Sequence, residues 1–348
     1  MNDPQALSHL LAESPLWGQS ESPIWLSSRF TLKRNLASFP FSPKINETEE
    51  QQLLSLLEPT LSKTSLLKEG FLFRETELST TLKEGLAEHF LLEGDAKSYL
   101  IDPSGFFLVR VEGDEHLTLT CLEPASSWKS KWENLSSFER AVGETYEFAF
   151  SPKFGYLSSD PTCCGTALSV EAILHIPCLI HLEELDEVLA KTLPDEVTSH
   201  GLGGGDDYIG DFITLKNQFT LGVSEDHILD SVHKAGAELM KLEASRREKL
   251  KLEKDAFMRD KISRAYGLLL HSFQIETKEA FAALSLLKLG IDLEWVAGMR
   301  DQEISAIFFR CSRAHLALDS QEPLTPEQLA EKRADYLKQQ CNKLKLKI

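Results

Sequence analysis

Cysteine, positive charge and long apolar runs are all scarce in this sequence of 348 residues. The six cysteines are scattered and form no Cys-x-x-Cys pair, which argues against a disulfide framework or a zinc site, so we expect reduced thiols. Lys and Arg number 37 against 54 Asp and Glu, and the net charge of −17 disfavours nucleic acid as a partner. No apolar run reaches the roughly 20 residues of a membrane helix, and the start lacks a basic leader region. We therefore expect a cytoplasmic protein without a membrane partner.

The composition, with 42% apolar and 26% charged residues, is typical of a globular protein. Alternation and turn residues predict successive antiparallel strands over 97–123, and a further strand is predicted within 207–222. Strands followed by helices, without regular alternation, favour an α+β fold whose C-terminal quarter is all helical. Apolar spacing of helical period predicts helices over 135–151, 169–194 with a break at Pro177, 224–273, 277–296 and 325–340. At the end of the first of these, YEFAF at 146–150 tends toward an extended structure.

The stretch TSHGLGGGDD, residues 198–207, is rich in glycine. One interpretation is a phosphate-binding loop, because bare backbone N–H groups bind anions. A Walker loop needs Gly-Lys-Ser/Thr at the start of a helix, however, and Asp206 and Asp207 would repel a phosphate. We therefore favour a flexible loop that does not grip phosphate.

Two further clusters carry possible chemistry. The sequence EGDEH at 112–116 could supply a metal site or a general base, although alternating strand faces favour a solvated turn. Cys163 and Cys164 could supply a nucleophilic thiol, but Asp160 disfavours ionisation of a thiol nearby. Structural cysteines are the favoured interpretation.

An ordered set of segments along nearly the whole chain resembles the ATP:guanido phosphotransferase family, in the branch of the bacterial protein-arginine kinase McsB. The segments include LSSRFTLKRNL, VEGDEHLTLTCL, FGYLSSDPTCCGT, IGDFITLKNQFTLG and LGIDL. The resemblance implies a guanido-kinase catalytic fold over residues 1–255, an antiparallel sheet flanked by helices with a nucleotide cleft. It also implies an all-helical domain over residues 256–348, used for dimerisation. The implied reaction is phosphoryl transfer from ATP, with Mg²⁺, to a guanidinium nitrogen.

Most arginines that the family uses on ATP are missing here. The resemblance places Ser28 and Arg29 in the nucleotide-binding motif, where Thr31 stands at the second arginine position. The loss of four arginines would remove on the order of 6 to 12 kcal/mol of gross triphosphate binding, at about 1.5 to 3 kcal/mol per charge-assisted hydrogen bond. The other lost positions hold small polar residues: Thr118, Ser169 and Ser199.

The catalytic motif that the resemblance implies is degenerate as well. Its members here are Asp114, Glu115 and His116. Asp114 replaces the catalytic Glu, and a side chain shorter by one methylene misplaces a proton acceptor. The substrate loop that the resemblance implies has Asp160 at the reactive-cysteine position, Thr162 retained and Gly204 at a substrate-binding Glu position.

A phosphoarginine-binding pattern of the McsB branch is partly retained in AEKRADYLK near the C-terminus. Arg333 is intact and Lys338 stands at the final arginine, where it lacks the planar bidentate fork. A solvated helix face is the alternative interpretation.

These observations favour a catalytically impaired or inactive McsB-like pseudokinase that acts through protein contacts. The alternative is an active protein-arginine kinase with a rearranged site around Arg29, Asp114 and Glu115, which would need ATP and Mg²⁺. A free-arginine kinase is a third, weaker hypothesis, which the C-terminal segment disfavours. We expect no resident metal, and the partners implied are an activator of the McsA type, the Clp machinery and a second copy in a homodimer. Candidates to replace a lost arginine are Lys33, Arg34 and Arg110.

Overall fold

The structure is a computed structural model that describes residues 4–13, 15–124, 128–318 and 324–348. Its strands are β1 (Trp25–Arg34), β2 (Phe71–Arg74), β3 (Ser98–Ile101), β4 (Phe107–Val111), β5 (Leu117–Pro124), β6 (Phe150–Ser151), β7 (Gly155–Tyr156), β8 (Leu168–His175), β9 (Val197–His200), β10 (Phe212–Asn217), β11 (Val296–Ala297) and β12 (Lys345–Leu346). Its helices are α1 (Pro4–Glu13), α2 (Glu47–Leu61), α3 (Thr80–Glu88), α4 (Lys129–Gly143), α5 (Pro177–His181), α6 (Leu185–Thr192), α7 (Glu225–Glu253), α8 (Ala256–His271), α9 (Thr277–Asp292), α10 (Asp301–Arg310), α11 (Arg313–Leu318) and α12 (Pro326–Cys341).

An eight-stranded sheet runs in the order β2-β3-β4-β5-β1-β8-β10-β9. The pairs β2/β3, β3/β4 and β4/β5 are antiparallel. Every residue of β3 and β4 is buried, so both faces of the sheet are covered there. The predicted α+β fold, with an antiparallel sheet, flanking helices and a helical C-terminal region, is confirmed.

The chain forms two compact units. The first consists of Met1–Ser14, Ser28–Glu171 and Lys216–Val232, and the second of Pro15–Ser27, Ala172–Leu215 and His233–Ile348. The domain boundary predicted after residue 255 stays a prediction.

Each unit has an aromatic core of its own. In the first unit the rings of Phe107 and Phe138 lie 5.0 Å apart, edge to face. In the second unit Trp17 and Phe308 both pack on Phe212, with ring centroids 4.5 and 5.0 Å away. Edge-to-face and tilted contacts of this kind add to the stabilisation from burying the rings.

The helices α7 and α8 occupy the predicted stretch 224–273 and are separated by a break around Lys254, which has a φ of 51°. The side chain of Asp255 accepts a hydrogen bond from the amide of Met258 and so caps α8. Thr325 and Gln328 form a capping box at the start of α12. In the described part of the chain, no helix is long and apolar enough to cross a membrane.

Three secondary-structure predictions are wrong. The start of the segment 169–194 is strand β8 rather than helix, and a helix begins only at Pro177. The glycine-rich stretch begins within strand β9 instead of being a loop throughout. The C-terminal quarter also contains the short antiparallel pair β11/β12, so it is not entirely helical.

Candidate functional site

Arg29 lies in β1 and is 9% exposed, with its guanidinium surrounded by protein oxygen atoms. Its Nε and Nη2 donate to Oε2 of Glu171 at 2.9 and 2.5 Å. Nη2 also donates to Oε1 of Glu93 at 2.5 Å, and Nη1 donates to the carbonyl oxygen of Phe90 at 3.3 Å. Of the five N–H groups of a guanidinium, four are therefore used within the protein.

Glu171 joins two cations. Its side chain is 5% exposed, and its Oε1 lies 3.0 Å from Nζ of Lys216 while Oε2 contacts Arg29. Burial alone would lower the pKa of Arg29, but Glu171 and Glu93 outweigh it and raise that pKa. Burial likewise opposes the charge of Glu93, whose pKa is nevertheless lowered because Arg29 lies beside it. We call Arg29, Glu171, Glu93 and Lys216 the Arg29 cluster.

The positions of the lost arginines in the first unit are uncharged and mostly buried. Thr31 follows Arg29 by two residues in β1, so both side chains point to the same face of the sheet. Thr118 in β5 is 1% exposed. Ser169 begins β8 together with Leu168, and its Oγ has no hydrogen-bond partner among the described residues. Ser199 and Gly204 belong to the second unit, in β9 and in an exposed turn with a φ of 83° respectively.

A different arginine lies opposite one of these positions. Arg110 in β4 pairs directly with Thr118 across the β4/β5 ladder, and side chains at paired positions point to the same face. Arg110 is 3% exposed, and within the described ranges its Nε and Nη1 have no hydrogen-bond partner. Burial lowers the pKa of Arg110, and nearby Asp114 and Glu93 oppose that shift.

Asp114 is exposed and approaches Arg110 from the loop between β4 and β5. A Cβ built on Gly94 would lie 3.3 Å from Nη1 of Arg110 and 3.6 Å from Oδ2 of Asp114, so both side-chain ends converge on this glycine. The structure thus brings Asp114, which the resemblance places at the general-base position, next to a cation.

The side chains of Glu115 and His116 form hydrogen bonds within the protein. Glu115 is 1% exposed and accepts hydrogen bonds from Asn35 Nδ2 at 2.5 Å, from Ser159 N at 3.0 Å and from the hydroxyl of Ser158. His116 Nδ1 accepts from the amide of Leu36 at 3.0 Å, so Nε2 is the donor to the carbonyl of Pro40 at 2.7 Å. Burial lowers the pKa of His116, which favours this neutral form. Both side chains position loops.

The residues of the first unit that the resemblance assigns to a substrate loop form a local turn. The exposed carboxylate of Asp160 accepts hydrogen bonds from the amide and the hydroxyl of Thr162, at 2.9 and 2.8 Å. These hydrogen bonds lower the pKa of Asp160. Cys163 Sγ lies 3.8 Å from the same carboxylate, and all six cysteines, which lie within the described ranges, are free.

The predicted phosphoarginine patch stays a prediction, and the two residues differ in exposure. Arg333 is 2% exposed and donates from Nε to the carbonyl of Cys311 and from Nη1 to that of Ile275, at 2.8 and 2.9 Å. Lys338 has a partly exposed side chain, with Nζ 3.8 Å from Asp335. Among the residues described, no three His, Cys, Asp or Glu side chains converge as metal ligands.

Sequence reasoning identified Arg29 but missed Glu93, its second carboxylate partner. Glu93 lies between α3 and β3, in a segment with positive φ at Phe90 and Gly94, and no motif marks it. The pair spans 64 positions of sequence, so only the fold brings the two side chains together.

Comparison with known proteins identifies the family. The family model "ATP:guanido phosphotransferase, C-terminal catalytic domain" matches residues 41–246, and "Protein-arginine kinase McsB C-terminal domain" matches residues 255–347. The chain belongs to the ATP:guanido phosphotransferase family. The predicted resemblance, including its McsB branch, is confirmed.

Relatives and solved structures of this family agree with that assignment. The chain is 30% identical to a protein-arginine kinase of Halothermothrix orenii over 344 residues, with 97% of each chain covered. It is 29% identical to a protein-arginine kinase of Chlamydia pneumoniae, covering 92% of this chain and 94% of that one. The substrate-free duplicated taurocyamine kinase of Schistosoma mansoni has a TM-score of 0.55 and 21% identity, over 64% of this chain. The match spans only 33% of that duplicated chain, and it supports the fold alone.

Proposed function

We propose that this family member is a catalytically impaired or inactive McsB-like protein that acts through protein contacts. The observation that supports the proposal is that the guanidinium of Arg29 is already paired with the carboxylates of Glu171 and Glu93. A bound triphosphate would need the same N–H groups, and both carboxylates would repel it. Arg29 is also the one position of the five assigned to ATP by the resemblance that still holds an arginine.

ATP with Mg²⁺ would be required by an active enzyme, and the Arg29 cluster does not fit a triphosphate as it stands. Freeing the guanidinium means separating it from Glu171, whose side chain is 5% exposed. Breaking one partner away from a buried ion pair costs about 3 to 5 kcal/mol. This cost comes in addition to the hydrogen bonds lost with the missing arginines.

Binding and transfer can be measured separately on the purified chain. We expect no saturable heat on titration with millimolar Mg-ATP, and no phosphoarginine in an arginine-rich protein substrate analysed by mass spectrometry. The Halothermothrix orenii relative serves as the positive control for both measurements. Tight Mg-ATP binding, together with phosphoarginine formation that Asp114→Ala abolishes, would contradict the proposal.

An active kinase with a rearranged nucleotide site is the second candidate, and Arg110 favours it. This arginine is buried, lies opposite Thr118 and has two nitrogen atoms without hydrogen-bond partners in the described part of the chain. An anion at this point would supply those partners and offset the burial of the charge. If this candidate holds, the native chain binds Mg-ATP and Arg110→Met abolishes that binding.

The partners of a protein-contact function stay a proposal based on family analogy. They are an activator of the McsA type, the Clp machinery and a second copy of the chain. Co-purification with each candidate, at matched concentrations and with the Mg-ATP measurement run in parallel, tests them one at a time.

A further inference from the structure

A pocket of about 460 Å³ opens beside the first turn of α7 in the first unit. Its wall is built by β6, β7, the segment after β10 and the start of α7. This volume falls within the range of about 300 to 1,000 Å³ found for ligand pockets. The residues that matter for recognition are Phe150, Phe154, Tyr156, Leu221, Glu225 and Asp226.

The wall of this pocket carries large apolar side chains that are exposed. Phe150 is 59% exposed, Leu221 49% and Phe154 44%. Single exposed apolar residues are ordinary, but a group around one concavity marks an interaction site. Phe150 also packs edge to face on Tyr156, with ring centroids 5.5 Å apart, which holds part of the wall in place.

Close backbone packing shapes the floor of the pocket. A Cβ on Gly155 would lie 2.6 Å from the carbonyl oxygen of Gly165, and a Cβ on Gly165 would lie 2.1 Å from that of Thr220. Side chains larger than hydrogen are therefore excluded at both glycines. A cavity whose floor is formed before binding reduces the conformational cost of association.

The rim of the pocket combines this apolar wall with negative charge. Glu225 and Asp226 form the first turn of α7, and Asp226 is exposed. Among the described residues, Glu225 has one distant cation, Nη2 of Arg34 at 3.8 Å. Lys153 also lines the pocket, with its ammonium 5.0 Å over the ring of Phe154. Together with the net charge of −17, the rim favours a basic ligand.

We propose that this pocket docks a short segment of a partner protein in which a bulky apolar side chain is followed by arginine or lysine. The apolar side chain lies between Phe154 and Leu221, and the cation meets Asp226. This inference rests on the proposed function, because it gives the protein-contact role a defined surface. A second copy of the chain carries a net charge of −17 and would on balance be repelled by the acidic rim.

The test is fluorescence anisotropy with a labelled peptide that carries Leu-Phe-Arg-Lys between Gly-Ser flanks, titrated with the full chain. We expect saturable binding, and at least about tenfold weaker binding to Leu221→Ser and to Asp226→Lys, as for residues central to an interface. The matched control is Phe273→Ser, which removes an apolar side chain that is 73% exposed in the second unit and should leave the affinity unchanged.

Two outcomes would overturn the inference: equal peptide affinity of the Leu221→Ser variant, and equal binding of a Leu-Phe-Glu-Asp peptide. If the first outcome comes with a change of oligomeric state in Leu221→Ser, measured by light scattering, the face is an interface between copies of this chain instead. The Mg-ATP measurement distinguishes the failure of one proposal from the failure of the other. If the chain binds the peptide and is also an active kinase, the docking proposal holds and the proposal of an inactive enzyme fails. If the chain is inactive and does not bind the peptide, the docking proposal fails and the proposal of an inactive enzyme holds.

Discussion

The resemblance places Arg29 and Glu115 in motifs of the family, and in this chain both side chains are engaged by the protein itself. Arg29 contacts two carboxylates, one buried and one on a side chain that is 58% exposed. Glu115 accepts hydrogen bonds from Asn35, Ser158 and Ser159. The partners of a side chain at a motif position therefore decide which charge it still offers to a ligand.

Glu93 can be removed from the Arg29 cluster with little structural cost, since its side chain is 58% exposed. We expect Glu93→Gln to lower the free energy of unfolding by up to about 1 kcal/mol, which is the contribution of an exposed ion pair. Urea denaturation measures this change. Glu69→Gln, at an exposed position of the same unit, is the control and should be as stable as the native chain. Equal stability of both variants would count against Glu93 as a partner that stabilises the Arg29 cluster.

At the scale of the elements, sequence patterns predicted β3 to β5 and the helices α7, α8 and α12, because turn residues and caps mark their ends. Strand β8 was predicted as helix because Val170, Ala172, Ile173 and Leu174 form a nearly continuous apolar run that suits either structure when it is fully buried. The candidate site was likewise only partly predictable from sequence patterns. Motifs located Arg29, and only the fold could locate Glu93.

Gly165 shows how a loop of the first unit depends on one residue. Its φ is 112°, and a Cβ there would lie 2.1 Å from the carbonyl oxygen of Thr220. We expect Gly165→Ala to lower the free energy of unfolding by at least about 3 kcal/mol, through backbone strain and overlap. Urea denaturation measures it. Gly203→Ala is the control, because a Cβ there meets no atom within 4 Å. Similar values for the two variants would contradict this account.

The free energy of unfolding of the whole molecule depends on pH through a buried lysine in the second unit. Lys288 in α9 is fully buried and donates to Asp301. Burial lowers its pKa to about 8, although Asp301 opposes the shift. An unfolded lysine has a pKa of about 10.4. Between these values the unfolded chain binds more protons than the folded chain, so this group makes the free energy of unfolding rise with pH.

We therefore expect the free energy of unfolding of the native chain, minus that of Lys288→Met, to increase from about pH 8 to about pH 10. Below that window the difference should be flat. Urea denaturation across the range measures it, and Lys278→Met provides the control, because Lys278 lies on the same helix with a side chain that is 71% exposed. A difference that stays constant through the window would show that Lys288 titrates at its ordinary pKa.

The order of the segments along the chain limits how such a protein can be divided. The polypeptide passes from one compact unit to the other five times. A cut after residue 255 would separate Phe308 from Trp17 and Phe212, which pack on it within one unit. No single crossover between two genes could therefore exchange either unit whole. In such an arrangement the two units are inherited together, and substitutions within the shared framework can alter the chemistry of one unit without exchanging it.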